Sequence, residues 1–184
     1  MRLSSVAYYL DFYIAAVLIT VMATIAATTA DWIDGGYWVA YVGLGAVTWT
    51  LIEYLIHRWI YHRAPYFRDF HDAHHRAPAD HIGLPPGIGI ALISLVFFLP
   101  IAPASPIAAG GITSGVLLGY MGYMLVHHAD HYWKPEPSSS MYKLCRHHAL
   151  HHHRSDEGNF GITTIFWDQA FGTAVEFSRR PGTE

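Results

Sequence analysis

IGLPPGIGIALISLVFFLPIAPASPIAAGGITSGVLLGYMGYMLV, residues 82–126, holds no Asp, Glu, Lys, Arg or His in 45 positions. A membrane helix needs about 20 mostly apolar residues, so this run is too long for one crossing and fits two. Pro100, Pro103 and Pro106 fall in its middle. Helical hydrogen bonding fails at proline, so a tight hairpin belongs there. Working outward, residues 12–30 are uncharged and rich in Ala, Ile, Val and Thr, and residues 6–10 extend them past Asp11. Residues 35–52 are also uncharged, and their apolar pattern runs on through Tyr54, Leu55 and Ile56. The pattern predicts an all-α integral membrane protein, a single domain over 1–184, with four transmembrane helices near 8–30, 36–60, 85–101 and 107–127.

Composition agrees. Of 184 residues, 52% are hydrophobic and 14% charged, where soluble domains carry roughly a quarter charged. The mean hydropathy is +0.22. A formal net charge of -3 argues against a polybasic nucleic-acid binder. A single cysteine, Cys145, excludes an internal disulfide and a zinc–cysteine framework. The first apolar segment has a second reading as a cleavable signal peptide, from Arg2 to Thr28-Thr29-Ala30. Its apolar part is longer than such peptides need. Tyr8, Tyr9, Phe12 and Tyr13 look instead like an interfacial belt.

Four spans place the N-terminus, the loop after span two and the C-terminal tail on one side. That side receives all 11 basic residues: Arg2, Arg58, Arg63, Arg68, Arg76, Lys134, Lys143, Arg146, Arg154, Arg179 and Arg180. Asp31, Asp34 and the proline hairpin fall opposite. By the positive-inside rule the basic side, with both termini, is cytoplasmic.

All 14 histidines lie between His57 and His153, on or near that face. Four clusters stand out: His57 and His62; His71, His74 and His75; His127 and His131; His148, His151 and His152. Positions i, i+3 and i+4 share one face of a helix, so the second and fourth clusters each project together. His127 and His131 stack one turn apart. His57 and His62 are about 140° apart on an ideal helix. That pair suits two neighbouring ions, or a helix that frays before Pro65. Ten imidazoles exceed the needs of one ion, since zinc normally takes four ligands. Shared between two, they give about five each and leave room for a substrate oxygen. Imidazole suits Fe, Zn, Cu and Ni. The Glu-x-x-His pattern of soluble di-iron bundles is missing from the sequence. His81, His128, His147 and His153 are expected to be exposed or to stand behind the ligands.

The segment Trp49-Thr50-Leu51-Ile52-Glu53-Tyr54-Leu55-Ile56-His57-Arg58, the run from Phe70-His71 to Pro78, and Arg146 to His152 form one set. With Asn159-Phe160-Gly161-Ile162-Thr163-Thr164 and Phe166-Trp167-Asp168-Gln169-Ala170-Phe171-Gly172-Thr173, this set resembles the fatty acid hydroxylase/sterol desaturase superfamily of integral-membrane di-iron oxygenases. The similarity lies toward the fatty acid 2-hydroxylase branch. It implies a cytosolic helical cap over a histidine-rich dimetal site. One metal would be held by His62, His71, His74, His148 and His151, the other by His57, His75, His127, His131 and His152. The metals would be two iron ions, which zinc can replace in purified protein, with O2 as co-substrate. The reaction implied is hydroxylation of a C–H bond of a membrane lipid, the protein holding the chain against the metals. No His-Pro-Gly-Gly haem motif occurs in the sequence, so electrons are expected from a separate protein of cytochrome b5 or ferredoxin type. That pattern favours a bacterial inner membrane over the endoplasmic reticulum.

Glu53, one turn before His57, is expected to accept from a ligand ring or to pair with Arg58. Asp130 and Asp168 are further candidates for such acceptors, as are Asp69, Asp72 and Asp156. In the related eukaryotic pattern an Asp precedes the third box, whereas here Asp130 lies inside it. Phe166, Trp167 and Phe171 are expected to dip into the headgroup layer. Other readings of the same boxes are a lipid desaturase, a sterol or carotenoid hydroxylase, or a non-catalytic histidine-rich metal-binding membrane protein. The uncharged run 82–126 argues against an ion path.

Overall fold

Ser4 accepts a hydrogen bond from the Ala7 amide and so starts helix α1, Ser5–Thr29. The computed structural model describes residues 2–155 and 157–175, and every named element among them is helical. Asp31 caps the next helix by accepting from the Ile33 and Asp34 amides. That helix, α2, covers Trp32–Leu55 and runs straight into a π-helical segment, Ile56–Tyr61. Helix α3, Pro65–Arg76, opens on a proline, which needs no amide partner in a first turn. Gly87 takes φ +82 and leads into α4, Ile88–Ile93, followed by a π segment, Ser94–Phe98, and α5, Leu99–Ile101. Ser105 and Pro106 then open α6, Pro106–Tyr132. Ser139 caps α7, Ser140–His153, and the short α8 covers Phe166–Ala170.

Three helical stretches are long and apolar enough to cross a membrane: Ser5–Thr29, Trp32–Tyr61 and Pro106–Tyr132. The expected third span of four is shorter, an apolar stretch of Ile88–Ile101. Its 14 residues reach about 21 Å, against a hydrocarbon core of about 30 Å. The hairpin falls where the prolines put it, between Ile101 and Pro106.

Helices α2 and α6 make the main contact, and small residues explain it. Gly111, Gly115 and Gly119 recur every fourth residue along α6 and face α2. A Cβ on Gly115 would stand 2.1 Å from the Val42 carbonyl oxygen, and one on Gly45 would stand 2.2 Å from that of Ile112. Between apolar helices in lipid, such close backbone approach is what drives association. Around this seam Ala15, Trp49, Ile90, Ile93, Val116 and Leu117 form the buried core. The outer faces remain apolar: Val6, Tyr13, Val17, Ile25, Val39 and Val47 are all exposed, as expected for surfaces solvated by lipid.

Candidate metal centre

The ten histidines of the four boxes come together at one end of the helices, in two groups of five. His57, His62, His71, His75 and His151 form one, and His74, His127, His131, His148 and His152 the other. Within each group one ring nitrogen per residue lies within 4.8 Å of all the others. In the first group the Nε2 atoms of His57 and His71 are 3.0 Å apart, those of His71 and His62 3.0 Å, those of His75 and His71 2.9 Å, and those of His62 and His151 3.1 Å. In the second, His127 and His74 are 2.9 Å apart, and His152 and His148 3.0 Å. Two imidazole nitrogens bound at right angles to one ion at about 2.1 Å stand about 3.0 Å from each other. The donor sets therefore fit transition metals in size and in chemistry.

The partition differs from the one implied by resemblance. His57 and His75 join the first group, while His74 and His148 join the second. Helix geometry gives the reason. Residues i and i+4 point only about 40° apart, whereas i+3 falls about 60° to the other side of i and about 100° from i+4. So α3 presents His71 with His75 to one group and His74 to the other. Helix α7 presents His148 with His152 to one and His151 to the other. His127 and His131 stay together. The pair His57 and His62, which an ideal helix would spread, lies in a single group. The π segment Ile56–Tyr61 bonds i to i+5 and so brings residues five apart into register.

A strap between α7 and α8 holds this arrangement from behind. His57 Nδ1 donates to the Phe160 carbonyl at 2.6 Å, and His151 Nδ1 to that of Gly158 at 2.7 Å. A carbonyl can only accept, so both rings carry the proton on Nδ1 and present a bare Nε2 to the centre. Between the two carbonyls Asn159 sits at φ +58, fully buried. Its side chain donates to the His147 and Val175 carbonyls and accepts from the Val175 amide.

Two buried carboxylates fasten the strap. Glu53 accepts from the Ile162 amide at 2.6 Å, the Thr163 amide at 2.8 Å and the Thr163 hydroxyl at 2.7 Å. It touches no ligand ring and makes no pair with Arg58, whose guanidinium donates to the Tyr54 hydroxyl instead. Glu53 thus acts on His57 through the backbone rather than directly. Asp168 accepts from the Phe160 and Gly161 amides, the Thr173 hydroxyl and His147 Nε2. Burial works to raise its pKa, but these four donors outweigh it and hold the carboxyl below its usual range. Asp130 Oδ2 lies 3.4 Å from His131 Nδ1, where it faces the ring directly. Asp72 pairs with Arg68 on the surface. Asp69 and Arg76 line a separate surface hollow, and Asp156 lies outside the described residues. Outside both groups, His147 is held by Asp168, His81 stacks on Tyr8, His128 stacks on Tyr132, and His153 is exposed. Trp167 donates to the Thr50 hydroxyl on α2, while Phe166 and Phe171 are exposed.

Burial keeps the rings neutral, as ligation requires. Desolvation, reinforced by neighbouring imidazoles, lowers His74 to about 3, and desolvation likewise brings His151 to about 3. His71, His148 and His152 are pushed down for the same reasons.

One wall of the site opens on an apolar slot of about 560 Å³. His127 lines it, beside Tyr61 and Tyr123. Tyr61 stacks on His71 and Tyr123 on His127, so one phenol ring borders each group. From there the slot passes between α1 and α4 to Val96 and Phe97. The boxes were legible as helical spacings. The strap carbonyls were not, because a backbone acceptor leaves no mark on residue type.

The profile of the fatty acid hydroxylase family matches residues 42–173. Human fatty acid 2-hydroxylase is 38% identical over 141 residues, covering 71% of this chain and 38% of the relative. A dihydroceramide fatty acyl 2-hydroxylase of Arabidopsis thaliana is 35% identical over 142 residues, covering 72% of this chain and 59% of the relative. The chain therefore spans about two fifths of the human relative's length. Among solved structures, full-length scs7p with only its hydroxylase domain visible superposes with a TM-score of 0.79 at 26% identity, covering 92% of this chain and 67% of that one.

Proposed function

Because this chain belongs to the fatty acid hydroxylase family, we propose that it is a membrane-bound di-iron oxygenase that hydroxylates a C–H bond of a fatty acyl lipid, using O2 and two electrons. The observation that carries this reading is the meeting of two five-nitrogen groups with an apolar slot at His127. His57, His62, His71, His75 and His151 would hold one iron, and His74, His127, His131, His148 and His152 the other. Iron bound there supplies the redox and O2 chemistry that zinc, with no redox change, cannot.

The protein's own part is binding, orientation and exclusion of water. Phe160 and Gly158 fix the tautomers of His57 and His151 through their carbonyls. At His131 the Asp130 carboxyl lies 3.4 Å from Nδ1, an electrostatic neighbour of that ring. The slot's apolar wall removes water from the acyl chain and lays it beside Tyr61 and Tyr123, which raises the chance of a productive approach. Similar proteins are named for 2-hydroxylation of fatty acids and of dihydroceramide fatty acyl groups. Those names favour hydroxylation over desaturation, sterol or carotenoid chemistry, and a non-catalytic metal store. Electrons come from a separate protein of cytochrome b5 or ferredoxin type.

The convergence of the ends of α2 and α6 supports one cytoplasmic histidine face. Helix α6 starts at the opposite face, so the short apolar stretch Ile88–Ile101 carries the chain there and serves as the fourth span. Helices α3 and α7 then form the cap, with both termini cytoplasmic.

The test is lipid mass spectrometry of expressing cells, with metal content measured on the purified protein. Hydroxylated acyl lipid should accumulate with the wild type and vanish with His74→Ala or His151→Ala. Unsaturated product, or product unaffected by either substitution, would overturn the reading.

A further inference from the structure

The slot carries one carboxylate among its described lining residues, Asp11 of α1. Its Oδ1 accepts from the Gly87 amide at 2.6 Å and its Oδ2 from the Tyr120 hydroxyl at 2.8 Å. These two bonds tie α1 to the start of α4 and to α6. Tyr120 lies seven residues before His127 on α6, two turns or about 10.5 Å along the axis. No ion pair is recorded for Asp11 among the described residues. A carboxylate has about four acceptor positions, and these donors occupy two. A half-used carboxylate is costly against an apolar wall at membrane depth, and such residues mark functional sites. Asp11 shares the slot wall with Trp49, Leu92 and Ile93, and of these three only Trp49 carries a side-chain donor. That indole is directed instead to the Glu53 carboxylate, one turn further along its own helix.

We propose that Asp11 is the polar recognition residue of the slot: it accepts a hydrogen bond from a neutral donor on the lipid, a hydroxyl or amide N–H, and repels a free carboxylate. The inference rests on the lipid-hydroxylase reading and adds to it the form in which the acyl chain arrives. An acyl amide of an amino alcohol satisfies Asp11. A fatty acid anion meets like charge in a low-dielectric slot, which is discrimination by repulsion. An acyl ester without a donor leaves the carboxylate as it is and gains nothing there.

The experiment measures binding by native mass spectrometry of the full chain in nanodiscs, with three probes of equal acyl length. These are N-palmitoyl serinol, methyl palmitate and palmitate. The wild type should bind the serinol amide about tenfold or more tightly than either other probe, the range expected for a hydrogen bond to a charged acceptor. In Asp11→Leu the gap between amide and methyl ester should close. In Asp11→Asn the disadvantage of palmitate should shrink, because the repelling charge is gone. Tyr120→Phe removes one of the existing donors but keeps the carboxylate, so its preference for the amide should survive. Should Asp11→Leu fail to fold, Asp11→Asn and Tyr120→Phe carry the test. Equal binding of all three probes by the wild type would refute the proposal, as would an unchanged preference in Asp11→Asn or a lost one in Tyr120→Phe. Mass analysis of the same nanodiscs after incubation with reductant and O2 separates the two readings. A selective binder that forms no hydroxylated lipid leaves the subsite standing and sinks the hydroxylase.

Discussion

Removing Glu53 should unload one metal before the other. Its carboxylate accepts two amides and a hydroxyl from the strap, all within 2.8 Å, and is only 3% exposed. Glu53→Ala leaves two buried amide donors without partners, at about 1–3 kcal/mol each. The sum of about 2–6 kcal/mol is a large share of a domain's stability. The strap then loosens at Phe160, whose carbonyl orients His57, and two residues away at Gly158, whose carbonyl orients His151. Both rings belong to the first group, and neither belongs to the second. Loss of such outer partners lowers metal affinity about 10–100-fold. Elemental analysis against a chelator series should therefore show bound metal falling from two ions per chain to one at chelator strengths that leave the wild type full. Thr163→Val is the milder companion, since it removes the hydroxyl bond and keeps both amides. It should shift the first loss in the same direction by less. Equal loss of both ions, or none in a folded Glu53→Ala protein, would refute the claim that the strap serves one group.

Packing and protonation give two further expectations. Gly115→Val should abolish recovery of folded protein in size-exclusion chromatography, because even its Cβ would meet the Val42 carbonyl at 2.1 Å. Overpacking costs about 1–3 kcal/mol or more, and Gly35→Ala, which meets nothing within 4 Å, should be silent. The metal-free protein should lose stability in acid. His74 and His151 are lowered from 6.5 to about 3, so between those values the unfolded chain binds protons that the folded one refuses. Their contribution is present above about pH 6.5 and is lost as pH falls toward about 3. The thermal midpoint after chelation should drop between pH 7.5 and pH 5, and a flat profile would contradict it.

Much of the site was legible from spacing alone. The same ten histidines that the four boxes present form the two groups, with i and i+4 positions turned to one group and i+3 to the other. The glycine ladder at Gly111, Gly115 and Gly119 was equally visible at its four-residue period, yet it carries no charge and is easily passed over beside the histidines. Asp11 read only as a charge near the end of a span. Its place on the slot wall depends on α4 and α6 arriving beside α1, which no local pattern encodes.

Composition and periodicity alone determined an all-helical chain, its apolar segments, its proline hairpin and the membership of the histidine set, since each follows from local hydropathy and turn geometry. Tertiary structure decided which rings come together in each group. It converted Ile56–Tyr61 to π geometry so that His57 and His62 meet, and it turned His74 and His151 away from their neighbours toward the opposite group. It also enlisted Gly158, Phe160, Glu53 and Asp168 behind the ligands. These outcomes depend on how separate helices pack and on where backbone carbonyls land, and neither is carried by side-chain identity.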